Sequence, residues 1–242
     1  MSEKARPVYL LAGGRGRVRT MPDPLIQMAL AESDRAHPSI AYVGVASGDD
    51  ATFFGYISRM FSECGSGKVT QVLIAPEKAD LKKARSLMEA ADIVYVSGGD
   101  VERGMHVLAE KSMTDFIAGL YRQGKPFFGL SAGSIMLACE WVRWRDPDDD
   151  STAELFPCLG CAPVLCDTHD EEGGWEELRA ALNLKEDGAD GYGIVSGTAL
   201  KVFPGGKTEA VGGAVHRYGK RDGHVVRIPD MTPDGVKYTK QV

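Results

Sequence analysis

The sequence predicts an α/β protein: a three-layer α/β/α sandwich with a mostly parallel sheet and an antiparallel β-rich C-terminal extension. Three observations carry this expectation. Five short runs rich in Val, Ile, Leu, Tyr and Phe recur before Ala132. Segments with apolar residues three and four apart separate them. From Tyr192 onward, strand-like runs follow one another with no helical pattern between them.

The five runs are VYLLA (Val8 to Ala12), IAYVGVA (Ile40 to Ala46), VTQVLIA (Val69 to Ala75), IVYVSGG (Ile93 to Gly99) and FFGLS (Phe127 to Ser131). Nearly continuous apolar stretches of this length suit strands covered on both faces, as in a parallel sheet. Helices are expected in DPLIQMALAES, DATFFGYISRMFSEC, ADLKKARSLMEAA and SMTDFIAGLYRQG, with Asp or Ser near the start and Gly or Cys-Gly near the end. Strands alternating with helices give a parallel α/β sheet. In the tail, GIVSGTALKVFPGGKTEAVGGAVHRY with its turn pair Gly205-Gly206 predicts an antiparallel extension at one sheet edge. Ligands are expected at the carboxyl ends of the strands.

No Pro/Ser-rich linker, repeat or low-complexity run divides the 242 residues, so one domain over 1–242 is expected. The net charge of −6 and the pI of about 5.4 argue against a nucleic-acid partner, and the cluster Arg15, Arg17 and Arg19 is too short to change that. No apolar run reaches spanning length and the N-terminus lacks a signal-peptide core, so neither a membrane partner nor export is expected. The expected location is the cytoplasm, as a monomer or homodimer. Five cysteines fit a reducing compartment. Cys158, Cys161, Cys166 and His169 have zinc-like spacing, but the apolar residues between them favour buried core cysteines, so no metal is assigned.

The candidate chemistry centres on GLSAG. Ser131 follows an apolar strand, precedes a helical pattern, and lies between Gly129 and Gly133, where a sharp turn needs small residues. This is the nucleophile-elbow pattern in its strand-turn-helix context. Close packing of strand on helix selects the same small residues. A serine nucleophile needs a base and an orienting acid. Among five histidines, His169 is the best base candidate, because it ends the apolar stretch APVLCDT at an expected strand end. For the acid, Asp146 follows an aromatic segment and precedes Pro147, which fixes the chain locally. Asp148 to Asp150 read as a surface turn. Gly98-Gly99 ends another strand before a helix, where glycines let backbone approach a substrate closely, so an N–H of Gly98 or Gly99 could complete an oxyanion hole with that of Ala132; a simple tight strand-helix turn is the alternative. AGGRGR, Ala12 to Arg17, lacks the residues of a phosphate loop.

These residues together resemble the serine peptidases that include dipeptidase E (aspartyl dipeptidase) and cyanophycinase, which share the class I glutamine amidotransferase-like fold. The resemblance rests on AGGRG, VYVSGGD (Val94 to Asp100), GLSAGS (Gly129 to Ser134) and GYGIVSGTALKV (Gly191 to Val202). It implies a catalytic serine at Ser131, a base at His169, an acid at Asp146, oxyanion amides at Gly99 and Ala132, and no cofactor. Three departures stand out. Asp100-Val101-Glu102 replaces the Asn or Gln that follows the glycine turn in many members. Val195-Ser196 stands where an acidic pair is common. DEEGGWEEL after His169 lacks the arginine-rich pattern of the dipeptidase E branch.

The expected activity is therefore hydrolysis of short peptides, including N-terminal Asp-X dipeptides, through an acyl-enzyme on Ser131. Arg143, Arg145 and Arg179 are available for an acidic substrate group, though the sequence does not place them; Asp170, Glu171 and Glu172 could instead bind a substrate α-ammonium. The alternative is a non-catalytic binding protein on the same scaffold. A glutaminase role is disfavoured because that chemistry uses a thiolate at the elbow.

Overall fold

Period-two alternation in the core strands decides the layering. The computed structural model describes residues 5–13 and 22–233, so the calls on Arg15, Arg17 and Arg19 lie outside the described residues. The main sheet joins seven strands: β1 (Val8–Leu11), β2 (Ile40–Val43), β3 (Val69–Val72), β4 (Ile93–Val96), β5 (Phe127–Leu130), β10 (Ala199–Val202) and β11 (Thr208–Val211). Their order is β11-β10-β1-β5-β4-β2-β3. The five strands from β1 to β3 run parallel, and β10 and β11 add an antiparallel edge.

Successive strand residues point to opposite faces, so each central strand feeds two cores. Tyr9, Leu11, Tyr42, Tyr95 and Phe128 pack against α1 (Pro24–Ala31) and α2 (Ala51–Glu63), with Phe61 and Tyr95 meeting edge to face at 4.7 Å. Val8, Leu10, Val43, Val96 and Phe127 face the other way. They meet α3 (Leu81–Ala90), α4 (Val101–Glu110), α5 (Thr114–Arg122) and α6 (Ala132–Leu137). Helices therefore cover both sheet faces, and the predicted three layers form. The helix starts also follow the sequence: Asp23, Asp50, Asp80 and Asp100 each cap a helix by accepting a backbone N–H.

The β-rich tail differs from the predicted single edge extension. Only β10 and β11 join the main sheet. β12 (Val215–Arg221) and β13 (His224–Met231) instead join β8 (Leu165–Thr168) and β9 (Asp190–Ile194) in a second sheet, ordered β13-β12-β9-β8. The chain crosses between sheets at Gly197 and Gly212, both with positive φ, which a glycine adopts without steric cost. Helix α7 (Glu176–Asn183) closes the second sheet through Leu178, Leu182 and Trp175. A hairpin of β6 (Glu140–Trp144) and β7 (Ala153–Pro157) completes the structure. Among the described residues, no helix is long and apolar enough to cross a membrane.

Candidate active site

Strands β4 and β5 are neighbours, with Val96 opposite Gly129. That register carries the Gly98-Gly99 turn and Ser131 to the same carboxyl edge of the sheet. A Cβ on Gly98 would lie 3.3 Å from the Ser131 Cβ, so the two segments are in direct contact. Ser131 has φ 55° and ψ −129°, a conformation costly for a residue with a side chain. It is held there by its own N–H, which donates to Leu11 O at 2.9 Å, and by its carbonyl, which accepts from Ser134 N–H at 2.8 Å. The flanking glycines are required sterically. A Cβ on Gly129 would come within 2.6 Å of Gly133 and Ser134 backbone, and one on Gly133 within 2.0 Å of Val96 O.

A prediction arises here. Gly133→Ala should destabilise the protein by about 3 kcal/mol, because the methyl meets backbone that cannot rotate away. Denaturant midpoints would measure the loss, and an unchanged midpoint would refute this account of the glycine.

His169 comes from the second sheet, just past β8, where its N–H donates to Ile194 O at 2.9 Å and its φ is 48°. This turn brings Nε2 to 2.8 Å from Ser131 Oγ. A serine hydroxyl and an imidazole at this distance can exchange a proton. Among the described residues, neither the Gly99 nor the Ala132 N–H has a hydrogen-bond acceptor. Both residues, with Ser131 and His169, line an open cavity of about 440 Å3. Gly98 stays buried behind Ser131 rather than on the cavity wall.

Asp146 does not join them. It sits in the exposed loop of the β6–β7 hairpin, where Asp148 N–H donates to its carboxylate at 3.1 Å. Among the described residues, no carboxylate hydrogen-bonds the His169 ring. Asp170 and Glu171 also depart from expectation, since neither lines the cavity. The Asp170 carboxylate accepts from Glu176 N–H at the start of α7, and that of Glu171 accepts from Ser196 N–H at 3.3 Å. Arg143 does reach the cavity, paired with Glu102 at 3.1 Å and Glu154 at 2.7 Å.

The residues overlooked in the sequence are Asp167 and Glu177. Asp167 lies two residues before His169, only 5% exposed, and lines the cavity. Burial pushes its carboxyl up to about 7, and repulsion from Glu177 and Asp170 adds to this. Glu177, in the first turn of α7, is raised by desolvation and then by Asp170, Asp100 and Glu176. The sequence signal was weak: Asp167 stands close to His169 in the chain, whereas Glu177 joins it only through the packing of α7.

The zinc-like cysteines form no ligand set. Cys161 and Cys166 are buried in the core, and burial pushes the Cys161 thiol up to about 12. Among the described residues, no three His, Cys, Asp or Glu side chains group to hold a metal ion.

Related proteins share this framework. The chain is 27% identical over 194 residues to the uncharacterized peptidase YgaJ of Bacillus subtilis, covering 79% of this chain and 81% of that protein. It is 28% identical over 144 residues to the cyanophycinase of Trichormus variabilis, covering 56% of this chain and 48% of that one. The crystal structure of a peptidase from an acI-B1 Actinobacterium superposes with a TM-score of 0.71 at 16% identity, over 94% of this chain and 97% of that one. The profile of Peptidase family S51 matches residues 9–209, spanning the elbow, the glycine turn and His169, and the chain therefore belongs to peptidase family S51.

Proposed function

We propose that the protein is a serine-type peptidase that hydrolyses short peptides through an acyl-enzyme on Ser131. The observation that carries this reading is the 2.8 Å approach of Ser131 Oγ to His169 Nε2 at an open cavity. Ser131 Oγ attacks the peptide carbonyl carbon while His169 Nε2 takes the hydroxyl proton. The charge that gathers on the carbonyl oxygen is received by the Gly99 and Ala132 N–H groups. As the C–N bond breaks, His169 returns the proton to the departing amine. Water, deprotonated by His169, then cleaves the ester and frees Ser131. A cavity of about 440 Å3 suits a few residues of peptide rather than a folded chain.

A fluorophosphonate probe followed by peptide mapping tests the reading. The adduct is expected on Ser131, absent in Ser131→Ala, and formed roughly 10²-fold or more slowly in His169→Ala. No adduct, together with no cleavage of a dipeptide library, would favour a non-catalytic binding protein on the same scaffold.

A further inference from the structure

The lining of the cavity that holds Ser131 is acidic beyond what its own cation can neutralise. Asp100, Glu102, Asp167 and Glu177 line it, against a single described guanidinium, Arg143. Arg143 is already divided between Glu102 and Glu154. Asp100 caps α4, accepting the Arg103 N–H at 2.7 Å. Among the described residues, neither Asp167 nor Glu177 forms an ion pair. Asp167 is hydrogen-bonded only by backbone: Thr168 N–H donates to it at 2.6 Å, with a further backbone contribution from Leu178. The Trp141 side chain offsets part of the rise at Glu177. Asp167, only 5% exposed, feels the Glu177 charge, and above the pH at which it ionises a cation beside the two carboxylates would relieve that repulsion.

We propose that this wall is a subsite for a cationic group of the peptide substrate, with Glu177 as its specificity-determining residue and Asp167 as the buried carboxylate behind it. The inference rests on the peptidase reading of the same cavity. An organic cation fits better than a metal ion, since no set of three ligating side chains converges here among the described residues. Trp144, half-buried, lines the same cavity and offers aromatic surface to an ammonium or guanidinium and its alkyl stem. The same charge opposes an N-terminal aspartate side chain. Glu177 falls in DEEGGWEEL, a segment with five carboxylates and no arginine.

Calorimetry on the full chain carrying Ser131→Ala separates binding from catalysis. At pH 8, acetyl-Lys-Ala is compared with acetyl-Gln-Ala and acetyl-Glu-Ala for a side-chain cation, and Ala-Ala with acetyl-Ala-Ala for an α-ammonium. At least one cationic member should bind about tenfold or more tightly than its neutral partner, the pair identifying the source of the charge. Glu177→Gln should erase that preference, and Glu177→Arg should turn it toward acetyl-Glu-Ala. Equal affinity across the series, absence of binding included, overturns the subsite, as does tightest binding of acetyl-Glu-Ala to the protein with Glu177 intact. Labelling of Ser131 is read separately, so a failed subsite leaves the nucleophile standing, and a failed nucleophile leaves the binding result interpretable.

Discussion

Ser131→Ala is expected to lower kcat/KM for any peptide the protein cleaves by roughly 10⁴-fold or more, because nucleophile and proton transfer are lost together. His169→Ala should cost a similar factor, and the double variant little more than either alone, since the two groups act as one unit. The same position should reveal a conflict between activity and stability. Ser131 holds φ 55° and ψ −129° against its own Cβ, so Ser131→Gly should abolish hydrolysis yet raise unfolding free energy by about 1–2 kcal/mol. Rate assays and denaturant titrations on the parent and the four variants measure both effects. Substantial turnover in Ser131→Ala would remove the acyl-enzyme mechanism, and a Ser131→Gly protein less stable than its parent would remove the strain argument.

A second large effect concerns pH. The Asp167 carboxyl is raised to about 7 in the folded chain, against about 3.9 for an unfolded aspartate. Between these values the folded state holds a proton that the unfolded state has released, so stability must fall as pH rises. The contribution is intact below about pH 4 and lost once pH passes about 7, a swing on the order of 4 kcal/mol. Glu177, also raised, acts in the same direction, with Asp170 adding repulsion. Asp167→Asn mimics the protonated acid and should be nearly free of this slope. Unfolding curves of both proteins from pH 4.5 to 8 should therefore diverge, the variant becoming the more stable partner as pH rises. Parallel curves would show that Asp167 ionises without penalty.

The main sheet and the elbow were legible because their causes are local. FFGLSAGS carries its own turn, and Asp23, Asp50, Asp80 and Asp100 mark helix starts within a few residues. His169 could be chosen because APVLCDT reads as a strand and the residue after a strand lies at its rim. Asp146 lies in the β6–β7 loop and not on the cavity wall, because proximity in sequence gives no direction: its carboxylate is turned to Asp148 N–H within the loop. The division of the tail between two sheets was hidden for a related reason. Alternation identifies β9 through β13 as strands but does not name their partners, which Gly197 and Gly212 settle by redirecting the chain. The cavity wall was the least legible feature, since Asp167 and Glu177 meet only after β8 and α7 have packed.

Ser131 and His169 stand on different sheets. The serine ends β5, while the histidine follows β8, which pairs only with β9. Between them lies α6, touching both β5 and β8, with Ser134 donating its hydroxyl to Leu11 O and Cys166 approaching Ser134 O. The 2.8 Å contact is thus a vernier on the docking of two independently hydrogen-bonded halves. On the proposed reading neither half would carry the chemistry alone, and a slip of one against the other by the width of a single atom would silence the pair while leaving every strand intact.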